Sequence, residues 1–343
     1  MSSTGSSPAN KPVTLERLMQ MAWGYAPMLI IESACRHKLF DQLDAGAKTV
    51  EQLAAGAKIS PRGARSIANA LCGLDLMKKD AEGRYSLTPE SETFLISSKP
   101  TYIGGLFHHF GMQIIPRWLK LADIVQQGHP IMAVNQEDTG SEFFEAFVED
   151  LFPLSYAAAQ ALAGELKVSE AKSPVSVLDL AAGSGVWSIA LAQASPLVRV
   201  TAVDWPTVLP VTRRVTKRFG VADQYTFVEG DLGLADFGSG HQVATLGHIL
   251  HSEGEARSKE LLAKTAAAMA SGGTIAIQEF LVDQDRSKAV VGLMFSVNML
   301  VATDQGDTFS FEEIASWLKD AGFVKARLLD SPGPSPLILA NRA

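Results

Sequence analysis

From residue 174 onward the chain repeats one pattern. A short β-branched run is followed by a helical stretch, through VSVLDL, VRVTAVD, YTFVEGD, QVATLGHIL and GTIAIQEF. Strands that alternate with helices bury both sheet faces when the strands run parallel and helices cover each side. The pattern therefore predicts an α/β fold, a Rossmann-like doubly wound sheet over residues 171–343. A closing hairpin is expected in FVKARLLDSPGPSPLILANR. Such sheets bind ligands outside the carboxyl ends of their strands. Those ends are distinctive here. The stretch VLDLAAGSGVWSIALA reads as strand, turn and helix, with Asp179 ending the strand and Gly183 and Gly185 letting backbone approach a ligand. A carboxylate at this turn would repel a pyrophosphate and suit a cationic or amine-bearing ligand. The second run ends at Asp204, placed to accept from ribose hydroxyls, and the third offers Asp231 near an adenine amine.

Upstream the pattern differs. Residues 1–13 are Ser/Gly/Pro-rich without an apolar h-region, which predicts a disordered tail and no signal peptide. Residues 14–105 read as helices and a small hairpin, a winged-helix plan. AWGYAPMLIIESACRHKLFDQL reads as one apolar helix. A helix capped by Thr49 and another capped by Ser60, with Pro61 at its first position, follow it. Residues 106–170 read as connecting helices. The 343 residues suffice for two domains. No apolar run approaches the ~20 residues of a membrane span. A net charge of −7 argues against a polyanionic partner. Cys35 and Cys72 sit in apolar contexts and read as reduced thiols of a cytoplasmic protein.

At these motifs the chain resembles the class I S-adenosylmethionine (SAM)-dependent methyltransferases, and within them the small-molecule O-methyltransferases with an N-terminal winged-helix dimerisation domain. VLDLAAGSG is similar to the family's VLDVGGGTG, AVDWP to its second-strand acid, EGDL to its GD motif, HILHSEGE to ILHDWSDE, GGTIAIQE to GGKVIIVE, and AGF at 321–323 to its late AGF. The resemblance implies SAM as cofactor, S-adenosylhomocysteine as product and a homodimer. It implies cofactor contacts at Asp179, Ala181, Gly183, Gly185, Asp204, Trp205, Asp231, Leu232, Gly247 and His248. The chain departs from the pattern at Ala181 and Ala182, where glycines are usual, which is tolerable where φ stays negative. Gly247 stands where a lysine is usual, and Ser252-Glu253 replace an Asp-Trp pair.

The stretch GHILHSEGEAR packs His248, His251, Glu253 and Glu255 together. The resemblance places His251 as general base and Glu279 as the carboxylate beside it, with Asp307 as a second acid. A structural histidine and a metal site remain alternatives, with no metal expected. Glu253 and Glu255 are expected to cap the next helix. An imidazole titrates near neutrality and suits proton removal during attack on a sulfonium methyl. Candidate acceptor contacts are His109, Phe110, Met112, Phe152 and Tyr156 from the connecting helices, and Met294, Asn298 and Met299 from the helix after the fifth strand. The expected reaction is methyl transfer to a hydroxyl of a small aromatic or apolar acceptor. Transfer to a thiol or thioether is the alternative, and a SAM-sensing DNA-binding regulator a more distant one. Residues 1–100 carry twelve Lys/Arg against ten Asp/Glu, and the candidate recognition helix lacks the basic face a DNA reader needs.

Overall fold

The computed structural model describes residues 14–145, 147–333 and 335–343, so the tail expected at 1–13 lies outside the described residues. The chain divides into two compact units after Gly111, inside the stretch expected to connect the domains.

In the first unit, helices Val50–Ala57 and Pro61–Gly73 precede a two-stranded hairpin, β1 (Met77–Lys79) and β2 (Tyr85–Leu87), as their residues predict. Thr49 and Gln52 close a capping box, and the Ser60 hydroxyl accepts from the Gly63 N–H at 3.0 Å. Each bond satisfies an amide that a helix start leaves without an intrahelical partner. Leu39, Phe40, Leu53, Leu71 and Tyr85 form the core of this unit. The single apolar helix expected over residues 22–43 is broken. Helix Ala26–Arg36 ends before Lys38, which takes a left-handed φ of 53°, and Leu39–Gln42 forms a separate turn.

The second unit is built on a sheet from β3 (Val175–Leu180), β4 (Val198–Asp204), β5 (Tyr225–Glu229), β6 (His241–Gly247), β7 (Met269–Gln278), β8 (Phe323–Leu329) and β9 (Leu337–Arg342). Among the described residues the strand order is β5-β4-β3-β6-β7-β9-β8. The first five of these are parallel, while β9 pairs antiparallel with β7 and β8. One core packs helices Phe152–Glu165, Val186–Ala194 and Leu209–Arg218, and a second packs Leu250–Ala268 and Phe311–Asp320. Leu178 and Leu180, fully buried in the second core, and Val177, fully buried in the first, come from one strand, as β3 needs when both its faces are covered. The order reverses between β3 and β6, and that switch point locates the crevice. Two boundaries differ from expectation. QVATLGHIL stops being strand at Gly247, where His248 turns left-handed at φ 57°. The helical-looking run RSKELLAKTAAAMA also ends early, since Met269 begins β7 by pairing with His241.

Candidate active site

The turn after β3 is shaped by its conformation. Ala181 has φ 51°, Gly183 54° and Gly185 75°. The condition of a negative φ at Ala181 is not met: the residue holds a left-handed backbone that costs an L side chain about 1–2 kcal/mol. The Gly183 N–H donates to Asp204 Oδ2 and the Trp205 N–H to Asp204 Oδ1, both at 2.7 Å. These bonds fix the carboxylate at the end of β4, and it remains partly exposed.

Asp179, expected at the ligand, is sealed by neighbouring side chains. It is 1 % exposed, and its oxygens accept from Ser188 Oγ and, at 2.6 Å, from Thr245 Oγ1. Burial pushes its carboxyl up to about 6, against the opposing effect of those hydroxyls. It acts inside the sheet, tying the helix start at Ser188 to β6. Asp231 accepts from the Gly233 N–H at 2.8 Å and lies 3.3 Å from Arg257 Nη2. The Leu232 side chain packs into the second core. Trp205 stays at the crevice edge, its ring edge-on to Phe144 at 5.9 Å.

Gly247 explains a departure from the family pattern. A Cβ there would stand 2.1 Å from Trp187 Nε1. The Trp187 indole therefore occupies the space beside the end of β6 that a larger residue 247 would need. Trp187 is 5 % exposed. The sequence reading missed it, although a polar-tipped aromatic one residue into the helix after a glycine turn is a usable signal. The crevice thus holds paired acids at neighbouring strand ends and a left-handed turn without side-chain bulk at Gly183 and Gly185. That donor set fits a ligand bearing ribose hydroxyls and positive charge, such as SAM.

His251 and Glu279 meet as expected. His251 Nδ1 lies 2.6 Å from Glu279 Oε2, and Glu279 Oε1 accepts from the Leu250 N–H at 2.7 Å and the His251 N–H at 3.3 Å. Both residues are buried, at 8 % and 2 % exposure. Burial alone would raise the Glu279 carboxyl, but the facing imidazole and these hydrogen bonds hold it below the usual carboxylate range. The carboxylate accepts the Nδ1 proton, which leaves Nε2 as the basic nitrogen, and Nε2 bonds to no described residue. Phe295 stands edge-on to the ring at 4.9 Å, and Phe280 packs on Phe295 at 4.2 Å.

The other candidates separate. The Asp307 carboxylate does not reach the imidazole: it accepts from Ser296 Oγ at 2.5 Å and faces Arg286 at 3.6 Å. Its backbone N–H instead donates to the His251 carbonyl at 2.9 Å, so the segment holds the main chain of the base. His248 Nε2 pairs with Ser335 Oγ at 3.1 Å, and burial pushes its imidazole down to about 4, leaving it neutral. Glu253 pairs with Arg257 at 2.5 Å and Glu255 with Lys259 at 2.6 Å, and they flank the non-helical Gly254 near the start of helix Leu250–Ala268, where acids were expected. Among the described residues no group of three His, Cys, Asp or Glu side chains could hold a metal.

Phe152 and Tyr156 are corrected from acceptor contacts to core. They stack with each other at 5.0 Å, and Phe152 stacks on Phe219 at 4.8 Å. The Tyr156 hydroxyl donates to Gln193 at 2.6 Å. Met299 is buried and Met294 is exposed. Asn298 accepts from Trp118 Nε1 at 2.8 Å, on the helix (Val290–Ala302) that carries Phe295. His109 and Phe110 fall in the first unit and Met112 in the second. Asn135 had no sequence signal, yet its Nδ2 donates to the Ser252 carbonyl at 3.0 Å, one residue from the base.

Known proteins resemble this chain in sequence and fold. A family model described as an O-methyltransferase domain matches residues 118–324, and one described as an O-methyltransferase dimerisation domain matches residues 19–97. The tetracenomycin polyketide synthesis 8-O-methyl transferase of Streptomyces glaucescens is 28% identical over 95% of this chain and 96% of its own length. The 3-hydroxy-5-methyl-1-naphthoate 3-O-methyltransferase of Streptomyces sahachiroi is 29% identical over 100% of this chain and 99% of its own. A crystal structure described as an O-methyltransferase from Nostoc punctiforme superposes with a TM-score of 0.87 at 27% identity, covering 97% of this chain and 100% of that one.

Proposed function

The chain belongs to the O-methyltransferase family, and from that premise we propose that it methylates a hydroxyl of a small aromatic acceptor with His251 as general base. The enzyme is a SAM-dependent methyltransferase. Bound SAM supplies an electrophilic methyl on sulfur, and S-adenosylhomocysteine leaves. Asp204 and Asp231 would hold the nucleoside, with Gly183 and Gly185 admitting it to the turn. Trp205 and the backbone at Leu232, Gly247 and His248 border the same crevice.

The observation that carries the reading is the 2.6 Å contact of His251 Nδ1 with Glu279, with Nε2 left unbonded beside Phe280 and Phe295. Glu279 fixes the tautomer and stabilises the imidazolium formed when Nε2 takes the acceptor proton. The aromatic rings around His251 suit a flat acceptor. The relatives that act on a polyketide and a naphthoate support an acceptor of that class. The dimerisation domain supports a homodimer. No described helix is long and apolar enough to cross a membrane.

His251→Ala should leave SAM affinity, measured by calorimetry, within about threefold of wild type and lower kcat by about 10²–10⁴. A parallel loss of SAM binding would assign the histidine to the cofactor, and undiminished kcat would remove it as the base.

A further inference from the structure

We propose that Arg117 binds an acidic group, a carboxylate, on the acceptor, remote from the hydroxyl that is methylated. The inference rests on the reading of His251 and Glu279 as a hydroxyl-methylating site.

Arg117 lies in the short helix Ile115–Trp118 of the second unit. Its Nη1 is buried without a hydrogen-bond partner among the described residues, and its guanidinium carbon sits 4.7 Å over the Phe143 ring. Other arginines on this chain meet acids: Arg257 faces Glu253 and Asp231, Arg286 faces Asp307 and Glu313, and Arg214 and Arg218 share Glu149. Arg117 makes no such pair among the described residues, although burying an unpaired cation is costly. Burial lowers its proton affinity, yet a guanidinium does not lose its proton near neutrality. A fork of N–H donors kept charged and partly dry is the group that recognises a carboxylate.

Its surroundings connect to the segments that hold the base. The adjacent Trp118 bonds to Asn298, three residues from the Phe295 that packs on His251. Phe143, beneath the guanidinium, clusters with Val134 and Ala302, and the Val134 N–H donates to the Ala302 carbonyl at 2.8 Å. Asn135 follows Val134 and holds the Ser252 carbonyl, and its Oδ1 is also buried without a partner. A half-buried cation with one buried, unpaired N–H group and a half-buried amide with a buried, unpaired oxygen, unpaired among the described residues, therefore stand on segments joined to His251 by single contacts. An aromatic acid supplies the complement: its carboxylate for Arg117, its ring for Phe143, and its hydroxyl for Nε2.

The test uses the full chain loaded with S-adenosylhomocysteine and matched acceptors: hydroxynaphthoic and hydroxybenzoic acids, their methyl esters, and the corresponding naphthols and phenols. Affinity is read by calorimetry and turnover with SAM in parallel. Wild type should bind at least one acid about 10- to 100-fold more tightly than its ester and its decarboxylated partner, the range of a charge-assisted hydrogen bond. In Arg117→Met that ratio should fall toward one, and Arg117→Lys should keep part of it. Thermal stabilisation by S-adenosylhomocysteine shows that each variant is folded. Wild type without a preference for any acid, or a preference that survives in Arg117→Met, would overturn the assignment. If acids bind with an Arg117-dependent preference but no hydroxyl is methylated, Arg117 stands and the reading of His251 falls.

Discussion

At the scale of single residues, the acids along the strand ends divide by what surrounds them. Asp204 and Asp231 remain accessible, whereas Asp179 is sealed between Ser188 and Thr245. The motif made them look alike, because a carboxylate at the end of a strand reads the same whether it faces the crevice or the next strand. Burial at Asp179 has a pH consequence. Burial raises the Asp179 carboxyl from an ordinary value of 3.8 to about 6. A folded pKa above the unfolded one means that its contribution to stability is full below about 3.8 and is lost as pH rises through about 6. Ionised Asp179 therefore weakens the fold at neutral pH by at most about 3 kcal/mol. Asp179→Asn keeps the shape and removes the charge. Its stability gain over wild type, from urea unfolding, should be larger at pH 8 than at pH 4.5. A gain that does not grow with pH would mean that the hydroxyls fully compensate the carboxylate.

Between elements, the relation of Trp187 to Gly247 shows why part of the site was not legible. The alternation of strands and helices, the helix caps and the sheet's location were all readable, since each depends on local spacing. The contact between helix Val186–Ala194 and the end of β6 depends on two residues distant in sequence, and nothing local in GHILH announces that residue 247 must lack a side chain. For the same reason Phe152 and Tyr156 looked like pocket residues. Aromatic spacing says that a helix face is buried but not against what, and here the partner is Phe219. The Trp187 contact predicts coupling. Gly247→Lys alone forces the indole from its seat and should destabilise by about 1–3 kcal/mol, as overpacking does. Trp187→Val alone should destabilise through the cavity it leaves. The double variant should be more stable than the sum of the two losses allows, by about 1 kcal/mol or more in a double-mutant cycle of unfolding free energies. Additive losses would mean that the indole and residue 247 do not compete for one space.

For the whole molecule, two units with separate cores leave unequal surfaces. The second unit covers both faces of its sheet, but the start of the first leaves large apolar side chains in water. Leu15 is 74% exposed, Leu18 63%, Met19 55% and Trp23 62%. Trp23 and Tyr25 also stack with ring centroids 6.2 Å apart, an ordered aromatic pair on an open face. A contiguous apolar surface of this kind marks an association site. The match to a dimerisation domain from residue 19 supports a second copy as the occupant. Charge placed in that surface must be desolvated for the copies to meet, yet in a single chain it stays in water. Met19→Glu with Trp23→Glu should therefore shift sedimentation from dimer to monomer without lowering the unfolding free energy of the isolated chain, because neither side chain contributes to the core around Leu39 and Phe40. A dimer that persists in the doubly charged variant would place the interface on another face of the first unit. A variant that unfolds would show that these residues are packed within one chain.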